Sequence, residues 1–258
     1  MDIFETIFLG VIQGLTEFLP VSSSGHLVVF QNILGFNEPA LLLDCSLHLG
    51  TLLAVIIFFR MDIIQIAKDT LQLEFKQPDG NLAIWVIVAS IPTVIIGLKF
   101  KTPLENLFGS VTITGWMLII TGIIIASTKF INYSSPRVRI GLLTALAIGI
   151  FQGLAIIPGI SRSGSTIVCG LLCGLKREQA ARFSFLLSIP AIMGALLLQF
   201  DLGSIQKIGI IPLLAGFFTS ALVGLIALKF LMTIVKQGHL YYFAPYCWVI
   251  GLSIIILS

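Results

Sequence analysis

The chain has 258 residues, 57% of them hydrophobic and 10% charged, with a mean hydropathy of +1.06. A soluble domain carries about 25% charged residues, so this composition belongs to an integral membrane protein. A net charge of +3 without a basic tract excludes nucleic acid as a partner, and four cysteines without a C-x-x-C spacing exclude a disulfide framework or zinc site.

Read from the first residue, the apolar stretch 3–34 is interrupted at its centre by Pro and a Ser cluster, which a simple crossing helix would not carry. It predicts a helical hairpin that enters the membrane and turns back. The start could pass for a signal peptide, but Asp2 and Glu5 precede any Lys or Arg, so the basic leading region is missing and the segment is expected in the mature protein. A span near 41–59 follows. The stretch 61–80 has apolar residues between charges of both signs and predicts a short amphipathic surface helix closed by a Pro-Asp-Gly turn. Spans near 82–98 and 111–128 come next, each of about the 20 residues a bilayer requires. The stretch 140–175, broken by Pro158-Gly159 and a second Ser cluster, predicts another re-entrant hairpin. Spans near 183–200, 208–231 and 241–258 complete six. Cys45, Cys169, Cys173 and Cys247 fall in these apolar segments and read as small packing residues.

With six spans and two hairpins, Arg60, Lys68, Lys76, Lys129, Arg137, Arg139, Lys176, Arg177, Arg182, Lys229 and Lys236 fall on one side, and Lys99, Lys101 and Lys207 on the other. The excess of positive charge makes the first side cytoplasmic and places both termini outside.

An offset of 139 residues aligns GVIQGLTEFLPVSSSGH (10–26) with GIFQGLAIIPGISRSGS (149–165) without a gap. Identities fall at Gly10/Gly149, Gln13/Gln152, Gly14/Gly153, Leu15/Leu154, Ser22/Ser161, Ser24/Ser163 and Gly25/Gly164. Three spans lie between equivalent points, and an odd number turns the second copy upside down. The fold class expected is therefore an all-α integral membrane protein, a single domain over 1–258, built as an inverted-topology repeat of 1–139 and 140–258. Such repeats place a site where their two interrupted segments meet.

The chemistry sits in those interruptions. Arg162 is the sharpest feature, because an Arg at the centre of a membrane helix costs roughly 2.5–3.5 kcal/mol on insertion scales. Two partners could offset this: Glu17, the acid on the facing hairpin, in a structural ion pair, or an anionic ligand. Ser161, Ser163, Ser165 and Thr166 with Gly164 open the helix after Pro158-Gly159, and a helix N-terminus with hydroxyls and a forked guanidinium suits a phosphate group. On the first hairpin, Gln13 and Glu17 share a helix face. Pro20 ends that helix, and Ser22, Ser23, Ser24, Gly25 and His26 begin the next. A carboxylate, hydroxyl nucleophile candidates and an imidazole thus lie within ten residues. Asp44 and His48, four apart on the next span, read either as supporting or proton-carrying groups or as a structural hydrogen-bonded pair.

On these residues the chain resembles the undecaprenyl-diphosphate phosphatase, or bacitracin-resistance, family of bacterial membranes. The likeness runs end to end and is most specific in QGLTEFLPVSSSGH (13–26), LDCSLHLGTLLAV (43–55), PGISRSGST (158–166) and ARFSFLLSIP (181–190). The family carries Glu or Gln at the first position of the leading motif, and this chain has Gln13. The resemblance implies hydrolysis of a C55 polyprenyl diphosphate to the monophosphate carrier used in peptidoglycan synthesis, with resistance to bacitracin. It also implies a divalent cation, Mg²⁺ or Ca²⁺, a homodimer and residence in the bacterial plasma membrane. In that reaction Arg162 with Ser161, Ser163 and Thr166 would hold the diphosphate, aided by Ser22 and Ser24 at the facing helix start. Glu17 with Gln13 would bind the metal, or Glu17 would act as base. Ser23 is the candidate nucleophile with His26 assisting proton transfer; direct attack by water, with Glu17 or His26 as base, is the alternative. The charge map opens the site to the extracytoplasmic face.

Of two competing readings, the first is left to test and the second is set aside. An inverted-repeat transporter or polyprenyl-phosphate flippase would bind the same headgroup without hydrolysing it. The type 2 phosphatidate phosphatase group shares Ser-Gly-His and Ser-Arg elements, but its Lys-Arg-Pro element and second catalytic His are missing here.

Overall fold

The computed structural model describes residues 2–36, 41–72, 80–131, 139–199 and 208–258. Among them every regular element is helical, in the order α1 (Ile3–Phe18), α2 (Ser23–Ile33), α3 (Leu41–Phe58), α4 (Arg60–Leu71), α5 (Gly80–Lys99), α6 (Lys101–Leu107), α7 (Val111–Ala126), α8 (Leu142–Leu154), α9 (Arg162–Leu172), α10 (Arg177–Gln199), α11 (Ile210–Gln237) and α12 (Ala244–Leu257). Short 3₁₀ turns, Ser127–Phe130 and Leu240–Phe243, extend α7 and precede α12.

Among the described residues five helices are long and apolar enough to cross a membrane: those over Leu82–Lys99, Val111–Phe130, Arg177–Leu197, Ile210–Gln237 and Leu240–Leu257. The expected span at 41–59 is α3, which qualifies only together with α4, from which it is bent by 74°. That bend falls where the apolar run gives way to Arg60 and Asp62. The amphipathic helix expected over 61–80 is α4, and Pro78 and Asp79 of its closing turn lie outside the described residues. Lys76, Arg137 and Lys207 of the charge map do too. The helix α6 had no counterpart in the sequence reading.

Both expected hairpins are broken where the sequence breaks them. Proline disfavours the helical region for the residue before it, and Leu19, ahead of Pro20, is extended (φ −61°, ψ 141°) and caps α1. Ser22 and Ser161 are the N-caps of α2 and α9, their hydroxyls accepting the backbone N–H of Gly25 and Gly164 at 3.2 and 3.1 Å. The two hairpins keep the 139-residue offset in their helix starts, Ile3 with Leu142 and Ser23 with Arg162.

The outward row Ile84, Ile87, Ile91, Val94, Ile95 and Leu98 on α5 is exposed at helical spacing, the face that hydrocarbon would cover. Inside, Phe18, Ile148, Ile167, Phe183, Phe185 and Leu228 are fully buried in one apolar cluster. Phe18 and Phe185 meet edge to face at 5.8 Å. This packing seats the end of α1 against α10, directly beside Glu17. At one end of the bundle Arg182 pairs with Asp62 at 2.6 Å and Lys236 with Glu178 at 2.9 Å.

Candidate active site

Glu17 lies in the last turn of α1, where the helix dipole disfavours a carboxylate. The compensation comes from two other helices. Arg162 and Ser23 are the first residues of α9 and α2, and both bond this one carboxylate. The Arg162 NH2 group donates to Oε1 at 2.5 Å and the Ser23 hydroxyl to Oε2 at 2.6 Å. Gln13, one turn back, donates its amide N–H to Oε2 at 3.1 Å. From α3, His48 Nε2 stands 3.7 Å from Oε2. The Glu17 side chain is 6% exposed, that of Arg162 16% and that of His48 28%, so the pair is largely withdrawn from solvent with the imidazole at its edge.

Removing charges from water is expensive, and a pair offsets that cost only when its remaining hydrogen-bonding groups are also satisfied. Here they are not. Among the described residues the buried Nη1 of Arg162 has no hydrogen-bond partner, and neither has the Gln13 amide oxygen. A spare guanidinium N–H beside a hydroxyl held on a carboxylate is what an anionic group with a reactive centre would complete.

The other predicted residues take less direct places. Ser161 caps α9, and its hydroxyl lies 3.2 Å from that of Ser163, which donates to the Leu19 carbonyl at 3.4 Å. This ties the second hairpin's turn to the first. Thr166 is fully buried, donating to the Arg162 carbonyl at 2.8 Å and lying 2.5 Å from the Ser184 hydroxyl on α10. Ser22 and Ser24 have their hydroxyls 3.3 Å apart at the start of α2. These hydroxyls are engaged within and between the two turns, whereas Arg162 and Ser23 meet on Glu17. His26 does not meet Glu17: its Nδ1 bonds the Ser22 carbonyl and its Nε2 the Tyr246 hydroxyl, each at 2.8 Å. Asp44 accepts from the Gln31 amide at 2.6 Å, and its backbone carbonyl takes His48 Nδ1–H at 2.7 Å.

Sequence reasoning did not single out Tyr246, Ser184, Gln31 or Thr121. Thr121 accepts the Ser161 N–H at 3.0 Å and donates to the Gly159 carbonyl at 2.8 Å, fixing the second turn. The Asp44/His48 spacing did flag the imidazole that faces Glu17. At the point where the two turns cross, a Cβ on Gly25 would stand 3.0 Å from the Gly159 Cα, so glycine permits the approach that brings Ser23 and Arg162 to one carboxylate.

Among the described residues no group of three or more His, Cys, Asp or Glu could hold a metal ion. The oxygens at hand, the Glu17 carboxylate, the partnerless Gln13 carbonyl and the Ser23 hydroxyl, are the hard donors Mg²⁺ and Ca²⁺ accept. They are the groups that would hold such a cation, its remaining ligands drawn from substrate phosphates and water.

The family model "Bacitracin resistance protein BacA" matches residues 6–253. A protein of Desulfatibacillum aliphaticivorans named undecaprenyl-diphosphatase is 46% identical over 276 residues, covering 100% of this chain and 99% of the relative. One of the same name from Halothermothrix orenii is 46% identical over 262 residues, with the same coverage. Another, from Desulforapulum autotrophicum, is 48% identical over 271 residues, covering 99% of this chain and 98% of the relative. With residues 6–253 matched by the family model and relatives 46–48% identical over nearly the whole length, the chain belongs to the BacA bacitracin-resistance family.

Proposed function

We propose that the chain hydrolyses undecaprenyl diphosphate to undecaprenyl phosphate and inorganic phosphate, the reaction its relatives are named for, and confers bacitracin resistance by removing the lipid that the antibiotic sequesters. The observation that carries this is the buried, partnerless NH1 of Arg162 beside a serine hydroxyl already held on a carboxylate. Arg162 holds the diphosphate through its free N–H. Ser23 Oγ attacks the terminal phosphorus as its proton passes to Glu17 Oε2, the bridging P–O bond breaks, and undecaprenyl phosphate leaves. After Glu17 has released that proton to solvent, water attacks the phosphoserine and loses a proton to Glu17. The P–Oγ bond then breaks, phosphate departs and Glu17 returns the proton to Ser23. The alternative, direct attack by water with Glu17 as base, uses the same groups without the phosphoserine. Proton transfer by His26 would require Nε2 to exchange the Tyr246 hydroxyl for the ligand. A Mg²⁺ or Ca²⁺ ion, held by Glu17 and Gln13, would neutralise phosphate charge.

The architecture we infer is six spans with two re-entrant hairpins, 3–34 and 140–175, in an inverted repeat of 1–139 and 140–258. The shared helix starts support it. So does the packing, since α1 lies against α11 of the second half while α8 lies against α5 of the first. In the bacterial plasma membrane the positive-inside rule opens the site to the extracytoplasmic face. Cysteines introduced at Lys101 and Lys236 in intact cells test this: faster labelling at 236 by an impermeant reagent would reverse the orientation.

The reaction is tested with purified protein in detergent, undecaprenyl diphosphate and Mg²⁺ or Ca²⁺. Inorganic phosphate release is expected. Tight binding without release would favour a transporter instead.

A further inference from the structure

We propose that Tyr246 is a positioning residue for this reaction, acting through His26 to hold the strained turn that aims Ser23 at Glu17. The assignment rests on the phosphatase reading given above. Ser22, immediately before Ser23, has φ 68° and ψ 97° and is the one non-glycine residue with positive φ among those described. A side chain at such an angle persists only where its surroundings over-determine it.

The hold is on the Ser22 carbonyl. It accepts the backbone N–H of His26 at 3.2 Å and His26 Nδ1 at 2.8 Å. A carbonyl oxygen only accepts, so Nδ1 carries the hydrogen. In the neutral ring Nε2 is then the acceptor, and the Tyr246 hydroxyl donates to it at 2.8 Å. The two rings lie within 6° of parallel with centroids 5.8 Å apart. Both ends of the imidazole are therefore tied, and its tautomer is set from a helix 220 residues further along the chain. The next residue of α12 reaches the same turn, with Cys247 Sγ 3.6 Å from the Pro20 carbonyl. Ser163 holds the Leu19 carbonyl from the other side. If His26 turned, the Ser22 carbonyl would lose its side-chain donor. The backbone could then relax to negative φ and carry the Ser23 hydroxyl away from Glu17.

Tyr246→Phe keeps the ring and removes the donor. The expected result is a fall in kcat of about tenfold with KM unchanged and a parental elution profile on size exclusion. Glycine takes positive φ without strain, so in a Ser22→Gly background the same change is expected to cost less than about twofold. Nitrogen NMR of labelled histidine should show the Nδ1–H tautomer of His26 in the parent and mixed tautomers in Tyr246→Phe. Parental kcat in Tyr246→Phe, or an equal loss in both backgrounds, overturns the assignment. A shifted pH profile that Ser22→Gly does not rescue also overturns it, because His26 would then act as an acid or base tuned by Tyr246. No phosphate release by the parent would sink the phosphatase reading itself, while the NMR comparison would still show whether the clamp exists.

Discussion

The two hairpins share one scaffold and carry different chemistry. Each has a serine N-cap whose hydroxyl takes the N–H of a glycine three residues on, a second serine hydroxyl beside it, and a helix starting at the equivalent position. Yet where the first has Glu17, Ser23 and His26, the second has Ile156, Arg162 and Ser165. The first hairpin supplies an acid and a hydroxyl, the second a cation, and neither holds a complete site. The same local backbone thus carries different side chains, and the two turns come close enough to share one carboxylate.

The largest expected effect tests what the first hairpin alone contributes. Ser23→Ala should lower phosphate release by about 10³-fold, or about 4 kcal/mol at 1.36 kcal/mol per tenfold, if serine is the nucleophile. A variant within tenfold of the parent would move the reaction to direct attack by water. The second prediction concerns the crossing of the turns. Gly159 has φ 93°, and a Cβ there would stand 2.5 Å from the Thr114 carbonyl oxygen and 2.6 Å from Met117 Cβ. Gly159→Ala should therefore destabilise the protein by about 2–3 kcal/mol, read as a lowered melting temperature in detergent. The smallest effects sharpen the comparison between equivalent residues. Gln13 donates to Glu17, whereas Gln152 donates to Thr93 at 3.2 Å, away from the carboxylate. Gln13→Ala should cut activity by about tenfold and raise the divalent-ion requirement. Gln152→Ala should leave activity within about twofold. Equal losses at both would mean that the halves work symmetrically.

Much of this was legible because it is local. Pro20 and Pro158 announce the breaks, Ser22 and Ser161 the caps, and the i,i+4 spacing the Gln13–Glu17 bond; each depends on residues within a turn or two. The facing of Glu17 and Arg162 was readable too, since a buried guanidinium leaves few ways to be compensated. What escaped was contact across the bundle. That His26 turns to Tyr246 follows from how α12 packs on the α1–α2 turn, and an aromatic near a helix start gives no partner away. Thr166 turns to Ser184 for the same reason, because α10 places a buried hydroxyl against it. The break after Phe58, by contrast, was marked by the change from the apolar run 41–59 to the charged stretch 61–80, while its angle of 74° was not.

The central claim is that one carboxylate and one guanidinium, brought from different hairpins, work as a unit on the same diphosphate. The most direct measurement is phosphate release by purified Glu17→Ala, Arg162→Ala and the double variant, each checked for folding by size exclusion. Each single change should cost about 10³-fold, and the double should cost little more than either, because groups acting together are lost together. Full activity in either single variant, or losses that multiply in the double, would contradict the account.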